Sequence, residues 1–388
     1  MTPSEPVLVV GGGIGGLTLA VALTRLGIPV RVFEQAPALH EVGAGVGLWS
    51  NAVRALRALG VGDALVARGT PITHAELVTD DGRVVSRVSL EALAARAGAP
   101  CLVVDRRELV RAIAAPLPPA LFTFGAHVTR VDEHAEGASV FIEDVGEVRG
   151  SLVVGADGLR SIVRERTVGA SAHRYAGETC FRGIARMPLD DRTTLREHQG
   201  RGVRCAVCPL DDGRVYWWAT HPHKEGRKVD VAARKPMLTR AFGGFVAPIC
   251  DAIARTPDDE ILQHDLVDRA PVSTWSSTHM TLLGDAAHPT TPNLGQGAAL
   301  AIEDAVVLAR ALHAQPTARD AFRVYERARV SRAARVVRQS ALMGRVGQWS
   351  SPLARRARAL ALRATPDFVV EKTLAWHILY DAHAVDVS

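Results

Sequence analysis

The chain has 388 residues, 47% of them hydrophobic and 22% charged, enough for two or three compact units with a sizeable core. Extended disorder, collagen-like repeats and a small disulfide scaffold are excluded, the last because the five cysteines are odd in number and scattered. The formal charge of +5 is carried almost wholly by arginine, and from Ala305 to Lys372 thirteen arginines and Lys372 face only Asp320, Glu326, Asp367 and Glu371.

In chain order, Val7–Val10 is a continuous apolar run of the kind a buried parallel strand needs. It runs into Gly11-Gly12-Gly13-Ile14-Gly15-Gly16, then a helical pattern ended by Gly27, then a second strand from Pro29 to Phe33 that closes on Glu34. In this strand–turn–helix–strand unit Gly11 permits the tight turn, Gly13 admits a pyrophosphate to the backbone, and Gly16 lets helix and strand pack closely. The helix N-terminus offers its free N–H groups to the phosphates. A carboxylate at Glu34 accepts from a ribose 2′-OH and repels a 2′-phosphate, so the resident dinucleotide is FAD or NAD and not NADP.

Two later segments repeat the theme of a buried strand ending in a carboxylate: Ser151–Ser161, with Asp157-Gly158, and Met280–Pro289, with Gly284-Asp285. Open α/β sheets bind ligands at such strand ends. The second segment continues through Pro292-Asn293-Leu294-Gly295-Gln296-Gly297 into a helix of small and apolar residues, Ala298 to Leu312. Between the two, Arg214–Ala219 reads as a strand whose alternation sends Trp217 and Trp218 to opposite faces. Cys205 and Cys208 form a lone Cys-x-x-Cys in another strand-like stretch, without the second pair of a zinc site, and no metal is expected. After Pro316 a long helix to about Gly347 and shorter helices beyond Pro352 follow. Arg319, Arg323, Arg327, Arg329, Arg332, Arg335 and Arg338 fall on several faces of the long helix without interleaved aromatics, which reads as a solvated helix with neither nucleic acid nor membrane as partner. No basic-then-apolar leader opens the chain, and a cytoplasmic location is expected.

Together these segments resemble the single-component FAD-dependent aromatic hydroxylases of the para-hydroxybenzoate hydroxylase type. Gly43-Ala44-Gly45-Val46-Gly47, Asp105-Arg106-Arg107-Glu108-Leu109 and Tyr175-Ala176-Gly177 carry the likeness further. The resemblance implies an α/β protein. A discontinuous Rossmann-like FAD-binding domain (residues 1–71, 100–175 and 269–320) would carry an inserted β-sheet substrate domain (72–99 and 176–268), with a helical segment at 321–388. It implies non-covalent FAD held by Gly11, Gly13, Ile14, Gly15, Gly16, Glu34, Gln35, Gly45, Val46, Asp157 and Gly158. Asp285 would bond the ribityl chain beside Gly284, Arg106 would contact the flavin, and Pro292, Gly295, Gln296 and Gly297 would wrap the isoalloxazine ring. NADH or NADPH would dock transiently, and dioxygen would be activated as a flavin C4a-hydroperoxide to hydroxylate a small aromatic or heteroaromatic ring. His288 resembles a turn residue supporting the loop. Epoxidation, decarboxylation, reduction or a non-catalytic flavin role remain alternatives, as do monomer and homodimer.

Arg204 and Tyr216 resemble, in their offsets, an arginine and a tyrosine that serve substrate and flavin in bacterial FAD-dependent urate hydroxylases; an exposed strand arginine is the alternative for Arg204. Asn293 stands where those enzymes carry an aspartate that engages urate; an amide has no charge and cannot act as a base, which argues against urate. With Trp218 it is a candidate for the substrate pocket.

Overall fold

The apolar runs that end in carboxylates are brought side by side in one parallel sheet. The computed structural model describes residues 5–39, 44–246 and 248–388; Gly43 of the second glycine-rich segment lies outside them. The sheet order is Met280–Leu282, Leu152–Gly155, Val7–Val10, Val30–Glu34 and Phe122–Phe124, all parallel. Val7–Val10, at the centre, is buried along its whole length. One face is covered by helices Ile14–Arg25 and Gly297–Ala314, which pack on each other, and a three-stranded antiparallel meander over 128–150 adds Val131, Val140 and Ile142 to the same core. The C-terminal ends of Met280–Leu282, Leu152–Gly155 and Val7–Val10, and so Asp285, Asp157 and Gly11, open on one edge.

A second sheet of seven strands stands over that edge: Leu262–Asp268, Arg174–Arg186, Arg214–Pro222, Arg204–Pro209, Thr194–Gln199, His74–Thr79 and Val84–Ser89. It is antiparallel except where His74–Thr79 runs parallel to Thr194–Gln199. Its outer face packs Phe181, Val215 and Trp217 against helices Val231–Phe242 and Ile249–Arg255. The inner face, with Ala206, Cys208 and Tyr216, shares an apolar cluster with Trp49 and Val103 of the cofactor-side layer.

The long helix, Ala318–Gly347, departs from the solvated helix expected of it. Arg329 and Arg332 are buried, their guanidinium nitrogens 2.7–2.8 Å from Glu303 and Asp304. The physical reason lies in the neighbouring helix. Gly297–Ala314 is buried on almost every side and carries those two carboxylates mid-length, and a buried charge persists only where it is paired. Among the described residues no helix is long and apolar enough to cross a membrane.

Candidate active site

At the start of the first helix the glycines have separable tasks. Gly11 has φ +107°, and a Cβ there would lie 2.4 Å from the Ala156 carbonyl oxygen, so the turn and the second motif segment interlock at this residue. A Cβ on Gly16 would sit 2.0 Å from the Gly11 oxygen, and one on Gly15 2.5 Å from Leu283 Cδ1, so both are packing requirements. Ile14 is buried and opens the helix. Gly13 differs: a Cβ there meets nothing within 4 Å, and no side chain caps the helix. Open space before uncapped N–H groups suits a diphosphate.

Glu34 closes this end of the site. Its Oε2 accepts from the Gly12 N–H at 2.7 Å and its Oε1 from Ala36 N–H at 2.9 Å, which holds the carboxylate at the glycine turn; Gln35 beside it is exposed. Asp157 accepts the Ile162 N–H on Oδ2 at 2.9 Å, while its buried Oδ1 has no hydrogen-bond partner among the described residues and burial raises its pKa. Gly158, at φ +74°, borders open space. An orphaned carboxylate oxygen beside an open glycine cradle fits an extended dinucleotide along the strand ends.

Farther along the cleft, Asp285 and Arg106 are open to solvent yet enclosed by protein on most sides, as groups lining a cavity are. Burial raises the Asp285 carboxyl, opposed by His288 and Arg106; burial likewise lowers Arg106, opposed by Asp285. Asp105, ahead of Arg106, has its own task. Its Oδ1 accepts the Arg107 N–H at 3.0 Å, capping the helix, and its Oδ2 lies 2.8 Å from Arg214 of the roof sheet. Asp105 thereby fastens the roof to the cofactor layer.

The register of the roof fixes which of its side chains look inward. His264, Cys180, Thr220 and Arg204 form one row across the strands, and Leu262, Arg182, Trp218 and Ala206 the next. Trp217 points outward, buried, its indole N–H donating to Thr256 Oγ1 at 2.8 Å. Only Trp218 is left for a pocket. Tyr216 sits so close to Gly45 that a Cβ there would come 2.2 Å from its ring, whereas neighbouring Val46 is half-buried opposite Val104. Burial drives the Tyr216 phenol well up, though Arg182 and Arg106 pull it back.

Arg204 is no surface arginine, being 3% exposed. Its Nη2 donates to Glu178 Oε1 at 2.6 Å and to Asn293 Oδ1 at 2.8 Å. The Asn293 amide donates in turn to Thr291 Oγ1 (3.0 Å) and to the Ser340 carbonyl (2.9 Å). A Cβ on Gly347 would press on the Arg204 guanidinium at 2.8 Å, so the end of the long helix seats this arginine.

The loop from His288 to Gly297 is braced from below. Pro292–Leu294 is a single 3-10 turn; Trp49 donates its indole N–H to the Leu294 carbonyl (3.2 Å) and covers Gly295, whose φ is +61°. Gln296 is buried and accepts from Asn51 Nδ2 at 3.2 Å, and Gly297 begins the next helix. Asn51 also reaches Glu303 at 2.6 Å. His288 Nε2 lies 2.5 Å from Asp304 Oδ2, and the Gly284 N–H donates to the same oxygen at 3.0 Å. Sequence reading missed this support of Asn51, Glu303, Asp304, Arg329 and Arg332; its visible signal is the Glu303-Asp304 pair inside an otherwise apolar helical run. Arg182 and His264 were also missed, since only the register reveals that they face the cleft.

Comparison with known proteins agrees with this geometry. The profile of the family described as FAD binding domain matches residues 4–340. The chain is 40% identical over 358 residues to the aurachin C monooxygenase/isomerase of Stigmatella aurantiaca, covering 92% of this chain and 93% of that one. It is 32% identical over 364 residues to the 2-heptyl-3-hydroxy-4(1H)-quinolone synthase of Pseudomonas aeruginosa, covering 93% and 94%. The crystal structure of Klebsiella pneumoniae HpxO complexed with FAD and uric acid superposes with a TM-score of 0.90 at 29% identity, covering 98% of both chains.

Proposed function

Because the chain belongs to the FAD-binding domain family and to its monooxygenases, we propose that it hydroxylates a neutral nitrogen heteroaromatic of the 4(1H)-quinolone class with NADH or NADPH and dioxygen. Bound FAD supplies the electron transfer and oxygen activation for which the polypeptide has no group of its own. The observation that carries the substrate class is the Arg204–Glu178–Asn293 contact. Position 293 offers an amide, and the Arg204 charge is already met by a buried carboxylate at 2.6 Å. An anionic ring such as urate would find that cation spent, whereas a neutral ring loses nothing by it.

The chain's residues then divide the work. The glycine turn and the helix it opens bind the diphosphate, and Glu34 takes the ribose. Asp285 and Arg106 would hold the middle of the cofactor and the segment Pro292–Gly297 its flavin end, where the N-terminus of the helix that Gly297 opens would stabilise the negative charge that gathers on reduction. Trp218 and Trp49, members of one apolar cluster, would exclude water from the ring. Burial raises the Tyr216 pKa still further above neutrality, so the phenol would serve as a hydrogen-bond donor to a ring oxygen and not as the base. Burial and the nearby Arg182 lower the pKa of His264. It is the imidazole in this row that accepts the proton the ring gives up as it is hydroxylated. On this reading the enzyme works in the cytoplasm as a monomer or homodimer.

The test is substrate-stimulated NAD(P)H oxidation with 2-alkyl-4(1H)-quinolones and with urate, using labelled dioxygen. One label in a quinolone product, with urate inert, is the expected result; stimulation by urate alone, or an unlabelled product, would overturn the reading. Arg204→Ala should retain FAD and divert reducing equivalents into peroxide.

A further inference from the structure

The helix Pro352–Ala364 is turned inside out. Two of its four arginines face the protein: Arg355 pairs with Asp80 at 2.8 Å, and Arg358 is buried, donating to the carbonyls of Val346 and Gly347 at 3.1 and 2.9 Å. Two of its three leucines face water, Leu353 at 79% and Leu360 at 70% exposed, while Leu362 on the opposite face is half-buried. With Ala357, Ala361 and Ala364, also exposed, the two exposed leucines lie at i, i+4, i+7, i+8 and i+11, which is one helical face. An ordinary surface helix does the reverse. The next helix prolongs the apolar surface with Phe368, 69% exposed, and Val369, while Trp349 stands exposed just ahead of the first. Arg356 and Arg363, seven residues apart, border the leucine face on one side, and neither has an ion-pair partner among the described residues. No acidic residue occurs between Pro352 and Ala364.

We propose that this helix lies in the surface of an anionic lipid bilayer, its exposed leucines and Phe368 in the acyl boundary and Arg356 and Arg363 on the headgroups. The chemistry is that of a basic amphipathic helix at a membrane interface, and it needs no spanning segment. It departs from the expectation, drawn from the long helix alone, that no membrane is a partner. Charge complementarity selects the occupant. A second copy docked face to face would bring Arg356 and Arg363 against their equivalents, and the stripe, about 20 Å long and about 10 Å wide, offers roughly 200 Å² against the ~800 Å² per partner of a stable interface. An anionic surface satisfies the cations and removes the leucines from water at once.

The experiment is co-sedimentation of the FAD-loaded protein with vesicles of phosphatidylcholine alone or of equal parts phosphatidylcholine and phosphatidylglycerol. Binding to the mixed vesicles is expected, weakened by salt, with Arg356→Glu/Arg363→Glu losing at least about 20-fold in partition, about five-fold or more for each lost cation. Leu353→Ser/Leu360→Ser should lose binding comparably at unchanged FAD content and thermal stability, since these side chains contact solvent. No binding to mixed vesicles by the native chain, or binding by either double variant as strong as that of the native chain, would overturn the proposal. So would a dimer in sedimentation velocity that Leu353→Ser/Leu360→Ser dissolves, because the face would then belong to a second copy.

Discussion

Replacing Gly13 by alanine separates cofactor binding from folding. In the structure the residue has φ −76° and ψ −176°, extended backbone that alanine adopts freely, and its added Cβ would meet no atom within 4 Å. The folding cost is therefore confined to the lost helix-cap preference of glycine, below about 1 kcal/mol. A diphosphate drawn against the first-turn N–H groups would occupy that open space, and a methyl group there must push it away. Overpacking by one methyl group costs about 1–3 kcal/mol, or about 5- to 150-fold in the FAD dissociation constant. Apoprotein titrated with FAD by flavin fluorescence reads the affinity, and thermal unfolding of the same apoprotein reads the stability. Gly16→Ala is the counterpart, since its Cβ falls 2.0 Å from a backbone oxygen that cannot move aside; it should lose stability before FAD is added. If Gly13→Ala bound FAD as tightly as the native chain, the diphosphate would lie elsewhere and the cradle would be wrongly assigned.

Asp285→Ala should fold but purify colourless, because the carboxylate lines the cleft and makes no hydrogen bond or ion pair among the described residues; absorbance near the flavin bands checks it. Arg329→Met leaves Glu303 and Asp304 short of a counter-charge in the core and should cost about 3–5 kcal/mol, seen as a lower denaturant midpoint with unchanged slope. For pH, burial would raise the Asp304 carboxyl, but His288 and Arg329 outweigh it and hold it at about 2. A depressed carboxylate stabilises the fold above its unfolded value of about 3.9. Roughly 2 kcal/mol should accordingly disappear as pH falls from about 4 toward about 2, measured by unfolding across that range.

How much of this was legible beforehand depended on whether a feature is local in the chain. The glycine turn, the strand ends at Asp157 and Asp285 and the long helix after Pro316 are each written in one run of consecutive residues, because turn geometry and hydrophobic period act locally along the chain. The inward rows of the roof could not be read, since a strand's alternation says which residues share a face but not which face meets the cofactor. His264 and Arg182 become site residues only once Leu262–Asp268 pairs with Arg174–Arg186. The arginines of the long helix failed for a related reason. Their spread over several faces was visible, but the two carboxylates that call Arg329 and Arg332 inward lie on a different helix, 25 and 29 residues earlier. Asn293 is the instructive middle case. Its identity was plain in the sequence and already argued against urate, yet its meaning rests on Glu178, which no local pattern joins to it. Only the fold puts that carboxylate, with Glu197 at 3.6 Å, on Arg204 and so leaves no uncompensated cation at that end. Charge at a site is a sum over elements far apart in the chain, and motif reading supplies only the terms that happen to be adjacent.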